Sequence, residues 1–97
     1  MSRYLLSPAA RDDLNETWDS TCRHWGADQA EDYIRQIQHV IERAAANPRI
    51  GRACDEIRPG YLKLATGSHV LFYRLTGDGQ VDVGRAVHQR MDVDRQL

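Results

Sequence analysis

The sequence predicts an α+β domain in which an antiparallel helix hairpin packs on a small, mainly antiparallel sheet. Three observations favour this architecture: a short apolar run at the N-terminus, two amphipathic helical stretches joined by a glycine, and three strand-like segments in the last third. Their order, β-α-α-β-β-β, groups the helices apart from most of the strands, as α+β proteins do. The 97 residues suffice for one domain, so we expect a single domain over residues 1–97.

The N-terminal part predicts one strand followed by a helix. Residues 4–6 are apolar and long enough for a brief strand. A helix begins next, because Ser7 is a good N-cap and Pro8 suits the first helical position. Asp12 and Asp13 would complement the helix dipole near that start. One apolar face at helical spacing comprises Leu14, Trp18, Cys22 and Trp25.

A second helix follows Gly26, which ends the first one, and so short a link predicts an antiparallel hairpin. We expect Asp28 to cap the second helix as an aspartate variant of the capping box. The helix stops at Asn47, since the residue before Pro48 avoids the helical region. Its apolar stripe comprises Ala30, Tyr33, Ile34, Ile37, Val40, Ile41 and Ala44.

The last third predicts three antiparallel strands, at residues 61–65, 69–75 and 81–88, with glycine-containing turns between them. The connector at residues 47–60 is rich in proline and glycine and predicts no strand. Because the helix hairpin covers one face of so small a sheet, we expect the other face to stay open for a partner.

Alternation along the last strand assigns its side chains to two faces. Arg85 would share a face with Val81, Val83 and Val87, while His88 would point the opposite way. This division argues against a joint catalytic cluster of Arg85 and His88. The aromatic residues predicted to lie in the core are Trp18, Trp25, Tyr33 and Phe72.

Composition excludes several classes of protein. The chain is 28% charged and 41% hydrophobic with a formal net charge of -1, which is typical of a globular domain. It has neither a membrane-spanning apolar run nor a secretory signal, so we expect a cytoplasmic protein with Cys22 and Cys54 reduced. The charge pattern lacks the basic stripe of a nucleic-acid binder. Arginine makes up 12 of the 13 basic residues, which favours either a protein-binding surface or a GC-rich genome.

Few residues form a pattern that predicts chemistry. The histidines and cysteines lack metal-ligand spacings, and no phosphate-binding loop or nucleophile elbow occurs, so we expect no metal and no cofactor. Acid–base cleavage of RNA is the serious enzymatic option. Its candidate groups lie on or beside the predicted sheet and are Arg58, Tyr61, Lys63, Arg74, Arg85, His88 and Arg90. We favour a structural role for His88, paired with Asp92 or Asp94.

Seven short segments occur along the chain in a characteristic order. They are LSPAARDDL (6–14), WGxxQA (25–30), NPRIGR (47–52), IRPGY (57–61), GSH (67–69), FYR (72–74) and HQRMD (88–92). With these segments the chain resembles the ParE toxins of bacterial ParDE toxin–antitoxin systems, within the RelE/ParE superfamily. The resemblance covers essentially the whole chain.

This resemblance implies a non-enzymatic toxin that poisons DNA gyrase. It also implies a cognate ParD antitoxin, whose C-terminal part wraps around the toxin and whose N-terminal part binds operator DNA, so the toxin meets that DNA only indirectly. The runner-up is a ribosome-dependent mRNA endonuclease of the RelE type. Those relatives use a tyrosine near the C-terminus, whereas here no tyrosine follows Tyr73. A scaffold domain without toxicity is a third alternative.

The candidate contact residues are five. Arg58 and Arg74 are the expected ion-pair donors to the antitoxin, since arginine favours bidentate pairing with carboxylates. His88, Arg90 and Met91 are the expected contacts with the target, because the polar end of the chain is expected to carry toxicity more than the fold. We expect no membrane contact. The ParE pattern also predicts larger apolar side chains than Gly84 and Ala86 at those positions.

Overall fold

A computed structural model of the protein describes residues 3–89. Two long helices and five strands make up the fold, together with one turn of 3₁₀ helix at Pro48–Ile50. The helices are α1 (Pro8–Trp25) and α2 (Ala27–Ala46). The strands are β1 (Tyr4–Leu6), β2 (Arg52–Ala53), β3 (Leu62–Thr66), β4 (His69–Leu75) and β5 (Val81–His88). The predicted α+β architecture is confirmed.

The five strands form one sheet in the order β1-β5-β4-β3-β2. Only β1 pairs in parallel, with β5, and this pairing extends no further than Leu6 opposite Val83. The other three pairings are antiparallel, so the sheet is mainly antiparallel as predicted. The connector, in which no strand was expected, contributes β2, which pairs Arg52 with Lys63 and so forms one edge of the sheet.

The helix ends follow the capping residues in part. Ser7 caps α1 as predicted, because its side chain accepts a hydrogen bond from the backbone N–H of Ala10 at 3.0 Å. Gly26 ends α1 with a positive φ of 91° and also precedes α2 directly. The expected capping box at Asp28 is therefore wrong: a one-residue link leaves Asp28 inside the first turn of α2, where its charge still suits the helix dipole.

The main core lies between the helix hairpin and the sheet. Its largest fully buried members are Tyr73, Ile37, Ile41 and Leu71. The Tyr73 hydroxyl donates a hydrogen bond to the carbonyl oxygen of Pro48 at 2.7 Å, which ties the 3₁₀ turn to the middle of the sheet. No helix within residues 3–89 combines the length and apolar character needed to cross a membrane.

The sheet face turned away from the helices is not open in its centre, contrary to our expectation. Here Phe72, Val87 and Cys54 form a second buried cluster, against which Ile57 and Tyr61 pack. These last two belong to the loop after β2, which is closed by a hydrogen bond from the Cys54 N–H to the Tyr61 carbonyl oxygen. The breaker-rich connector thus folds back as a cover over an apolar centre.

An irregularity in β5 overturns the predicted alternation of its side chains. Phe72 pairs with Arg85 but Tyr73 pairs with Val83, so the register omits Gly84. Ala86 consequently joins the main core beside Val83, the place assigned to Arg85 by strict alternation. One extra residue in a strand reverses the facing of those beyond it, and this is the effect of a β-bulge.

The same irregularity explains why small residues occupy β5. A Cβ atom added to Gly84 would lie 3.1 Å from the Tyr61 ring, so that ring fills the space of the expected larger side chain. Ala86 is 3% exposed and packs within the main core. The residues are small because their neighbours approach closely.

Candidate functional site

A groove of about 560 Å³ follows α1 along the side that faces the end of the sheet. One wall consists of α1 from Asp13 to Trp25, and the other includes Ser68, His69 and His88. The remaining lining residues are Glu16, Thr17, Ser20, Thr21, Arg23, His24, Gln29, Tyr33 and Ala86. The groove exists because β1 accompanies β5 only as far as Val83, so α1 lies directly beside the rest of β5.

A hydrogen-bonded histidine forms the inner part of the groove. His69 is 8% exposed, and both of its ring nitrogens have partners. Nδ1 lies 2.7 Å from the Tyr33 hydroxyl, and Nε2 lies 3.1 Å from Thr17 Oγ1. The Tyr33 hydroxyl also accepts from the backbone N–H of Ser68 at 2.9 Å. Both helices are thereby tied to the β3–β4 turn.

These contacts assign the protonation state of His69. The Thr17 hydroxyl donates its one proton to the Asp13 carbonyl oxygen at 2.8 Å, so Thr17 Oγ1 accepts from Nε2–H of His69. Nδ1 of the neutral ring then accepts the Tyr33 proton. Burial lowers the pKa of His69, and the neighbouring His88 lowers it further, while Asp13 acts in the opposite direction. The ring is neutral, with its proton on Nε2.

An ion pair closes the groove at its Asp13 end. The Asp13 carboxylate accepts from Arg85 Nε at 2.7 Å, from Arg85 Nη2 at 2.9 Å and from the Ala86 N–H at 2.9 Å. Neither Asp12 nor Asp13 lies in the first turn of α1, so the expected role beside the helix dipole is wrong for both. Asp13 instead binds the edge of β5 beyond the point where β1 ends.

The predicted target contact His88 lines the groove, opposite α1. Its ring lies edge-on to that of His69, with 5.3 Å between the ring centroids. The other two predicted target contacts, Arg90 and Met91, lie outside the described residues. The same holds for Asp92 and Asp94, the expected partners of His88.

The two predicted antitoxin contacts lie on the opposite face of the sheet. Arg58 sits over the Tyr61 ring, 5.5 Å from its centroid, on the loop that covers the second cluster. Arg74 shares the face of Phe72 by alternation and lies 3.4 Å from the Asp82 carboxylate. The Arg74 side chain is 55% exposed, so this pair leaves it accessible. Both arginines thus lie exposed on one side of the molecule.

The two helices and the rest of the described chain differ in the sign of their charge. The two helices carry four arginines against eight acidic residues. The remaining described residues, 3–7 and 47–89, carry seven basic residues against four acidic ones. The side of the molecule formed by the hairpin is therefore acidic and the sheet side is basic, which the formal net charge of -1 conceals.

Among the groove residues, Trp25 differs most from its predicted environment. It was predicted to be core, as was Trp18, yet Trp25 is 74% exposed and Trp18 36% exposed. Phe72 is buried as predicted, and Tyr33 packs partly buried against the main core. Trp25 is the last residue of α1, directly before Gly26. This position at the tip of the hairpin is the signal that could have indicated an exposed side chain.

The geometry limits the chemistry that this groove can support. Both nitrogens of His69 are committed to Thr17 and Tyr33, so this ring has no free position for a substrate proton. Within residues 3–89, histidine, cysteine and acidic side chains do not form any group of three that could hold a metal ion.

Comparison with known proteins identifies the family. A family model described as the ParE toxin of the type II toxin–antitoxin system parDE matches residues 4–93. The chain belongs to the ParE toxin family. Toxin ParE1 of Mycobacterium tuberculosis is 71% identical over 96 residues, which is 99% of this chain and 98% of the relative. Toxin ParE1 of Caulobacter vibrioides is 39% identical over 97 residues, which is 100% of this chain and 99% of the relative.

A solved structure shows the same ParE-type fold. A chain from the chromosomal ParDE toxin–antitoxin system of P. aeruginosa superposes with a TM-score of 0.78 at 17% identity, covering 91% of this chain and 96% of that one. The two chains share one fold. Family and fold together make this chain the toxin component of a ParDE type II toxin–antitoxin system.

Proposed function

We propose that this ParE-family toxin inhibits DNA gyrase in the cytoplasm without catalysing a reaction, and that a ParD-type antitoxin neutralises it. The observation that carries the proposal is the similarity, over nearly the whole chain, to a curated ParE toxin at 71% identity. The test is DNA supercoiling by purified gyrase with increasing amounts of purified toxin. Loss of supercoiled product is expected, and unchanged supercoiling at a large molar excess of toxin contradicts the proposal.

The proposal of a non-enzymatic toxin is supported by the groove itself. Acid–base cleavage of RNA needs two accessible proton-transfer groups beside a site that attracts phosphate. In the groove His69 is committed to Tyr33 and Thr17, while Glu16 lines the facing wall on α1. A carboxylate beside the reacting phosphate repels it, so this arrangement favours a protein ligand.

The alternative is a ribosome-dependent mRNA endonuclease, and one observation favours it. His69 and His88 stand edge-on with their ring centroids 5.3 Å apart, and paired histidines are a common acid–base arrangement. Primer extension on ribosome-bound mRNA after toxin induction separates the two proposals. Discrete cuts within codons would replace gyrase inhibition by the endonuclease, whereas full-length transcripts are expected.

The antitoxin is proposed to bind the basic sheet side. Arg58 and Arg74 would pair with carboxylates of an acidic and apolar segment of the antitoxin. The test is capture of the antitoxin encoded next to this toxin by a double Arg58→Ala and Arg74→Ala variant. The matched control removes Arg35 and Arg43, two exposed arginines of α2. Weaker capture by the first variant alone is expected, and equal capture by both contradicts the assignment.

The gyrase contacts are proposed to include His88, Arg90 and Met91. A toxin that ends at Gln89 lacks two of these residues but keeps every residue that the structure within 3–89 places in the sheet and in both cores. We expect this truncated toxin to unfold at nearly the same temperature as the full chain and to lose inhibition of gyrase. If it unfolds on purification, the end of the chain is structural and the assignment fails.

A further inference from the structure

The Trp25 side chain lies mostly in solvent. At 74% exposure it leaves more of its surface in water than any other large apolar side chain within residues 3–89, and it borders the groove along α1. Exposed aromatic side chains beside a concavity are common anchors of protein interfaces, because they bury a large apolar area on binding. Trp25 therefore indicates a partner that covers this end of the groove.

The groove has the length of a short peptide segment. Asp13 and Trp25 are 12 residues apart on α1, which corresponds to about 18 Å at the rise of an α-helix. An extended chain covers that distance with about five or six residues. The wall opposite α1 is fixed by the bonds of His69 to Thr17 and Tyr33, so little ordering is required when a ligand enters.

The charges along α1 specify the chemistry of that segment. Arg85 is bonded to Asp13 and also interacts electrostatically with Glu16, and Glu16 lines the groove. Arg23 lies nearer the Trp25 end. Attraction for a cation is therefore concentrated about Glu16. From Glu16 to Trp25 is nine residues, or about 13 Å along the helix, which equals about four residues of extended chain.

We propose that this groove binds an extended segment of the toxin's protein target, with a lysine or arginine beside Glu16 and an apolar side chain against Trp25, about four residues apart. The inference rests on the proposed inhibition of gyrase and names the surface and the kind of segment involved. His88, a proposed target contact, lines the same groove. The proposed antitoxin contacts Arg58 and Arg74 lie on the other side of the sheet, so we expect the two partners to occupy different surfaces.

The experiment measures the toxin concentration that halves the supercoiling activity of gyrase. Trp25→Ala and Glu16→Lys alter the groove, and we expect each to raise this concentration by about tenfold or more. Leu75→Ala and Asp19→Lys are matched controls, since Leu75 is 47% exposed away from the groove and Asp19 is an exposed acid of α1 that does not line it. We expect the controls to change the concentration by less than about twofold.

Capture of the antitoxin by the same variants shows whether the sheet side is intact, and it should be unchanged. If Trp25→Ala inhibits gyrase as well as Leu75→Ala does, the groove is not the docking surface, although inhibition by the toxin stands. If Glu16→Lys inhibits more strongly than the unmodified toxin, the ligand is anionic, as a nucleic acid would be, and the basic segment is wrong. If the unmodified toxin leaves gyrase active, the proposed function and this inference both fail.

Discussion

The groove along α1 and the opposite sheet face are stabilised by different kinds of interaction. At the groove, polar side chains bond to one another: Asp13 binds Arg85, and His69 binds Thr17 and Tyr33. On the sheet face the centre is apolar, with Phe72 packed under the loop after β2, and the charged groups lie outside it. Every buried side-chain nitrogen or oxygen in the described part of the chain has a partner.

Because one side is held by polar contacts and the other by apolar packing, substitutions should affect stability differently on the two sides. Removing one member of a buried polar network lowers the free energy of unfolding strongly, because the remaining polar groups stay buried without a partner. In an apolar cluster, a substitution lowers the free energy of unfolding according to the apolar groups that it removes and the size of the cavity that it leaves. Substitutions on the two sides should therefore destabilise the protein by distinct mechanisms.

The largest effect is expected on the sheet face. Phe72 is 1% exposed and contacts the second buried cluster, so Phe72→Ala leaves a cavity between β4 and the covering loop. We expect the free energy of unfolding in urea to fall by about 4 kcal/mol. Phe72→Leu, which retains most of the volume, should cost about 1 kcal/mol. Equal losses for the two variants would mean that the loop does not pack on this ring.

The next effect concerns the ion pair at the groove. Asp13→Ala removes three hydrogen bonds and leaves the Arg85 guanidinium and the Ala86 N–H without this acceptor, so we expect a loss of about 3 kcal/mol. The control is Glu31→Ala, which breaks the exposed pair with Arg35 on α2 and should cost less than about 0.5 kcal/mol. Similar costs in urea unfolding would show that burial adds nothing to the Asp13 pair.

The helix hairpin and four of the strands follow from local signals. Ser7, Gly26 and Asn47 sit at helix ends, and the turns of the meander contain glycine, so periodicity and capping suffice to place those elements. The groove does not follow in this way. Its inner network joins Thr17, Tyr33 and His69 across 52 and 36 positions of sequence, and no local rule pairs such distant residues.

The facing of β5 shows a second limit. Strict alternation placed Arg85 among the core valines, but the register omits Gly84 and reverses the facing beyond it. At this point the Tyr61 ring approaches Gly84, and it comes from a segment in which the sequence showed only turn-forming residues. Such a contact between distant segments, and the register shift beside it, cannot be read from alternation within β5 alone.

That contact can be measured directly. Gly84→Ala brings a Cβ to 3.1 Å from the Tyr61 ring, and we expect a loss of about 1 kcal/mol because the half-buried ring must shift. Gly77→Ala is the matched control, since a Cβ there meets no atom within 4 Å and its φ is not in the left-handed region. The control should be neutral or stabilising by about 0.5 kcal/mol. A neutral Gly84→Ala would show that the Tyr61 ring does not restrict the side chain at this position.

The smallest effect is the pH dependence of the groove network. Burial lowers the pKa of His69 in the folded protein, whereas the unfolded chain has the ordinary value of 6.5. Below pH 6.5 the unfolded chain therefore binds more protons, and the free energy of unfolding should fall as the pH decreases towards the folded pKa. The physical reason is that a proton on Nδ1 displaces the proton that Tyr33 donates there.

Urea unfolding between pH 7.5 and pH 5 measures this contribution. Because carboxylates also titrate in the lower part of the range, the comparison is with His69→Gln, which should decline less steeply with pH than the unmodified chain. His39→Gln removes a histidine on the exposed side of α2 and should leave the slope unchanged. If His39→Gln flattens the profile as much as His69→Gln does, the neutral ring between Thr17 and Tyr33 is not the group responsible, and the polar side of the comparison loses its titrating member.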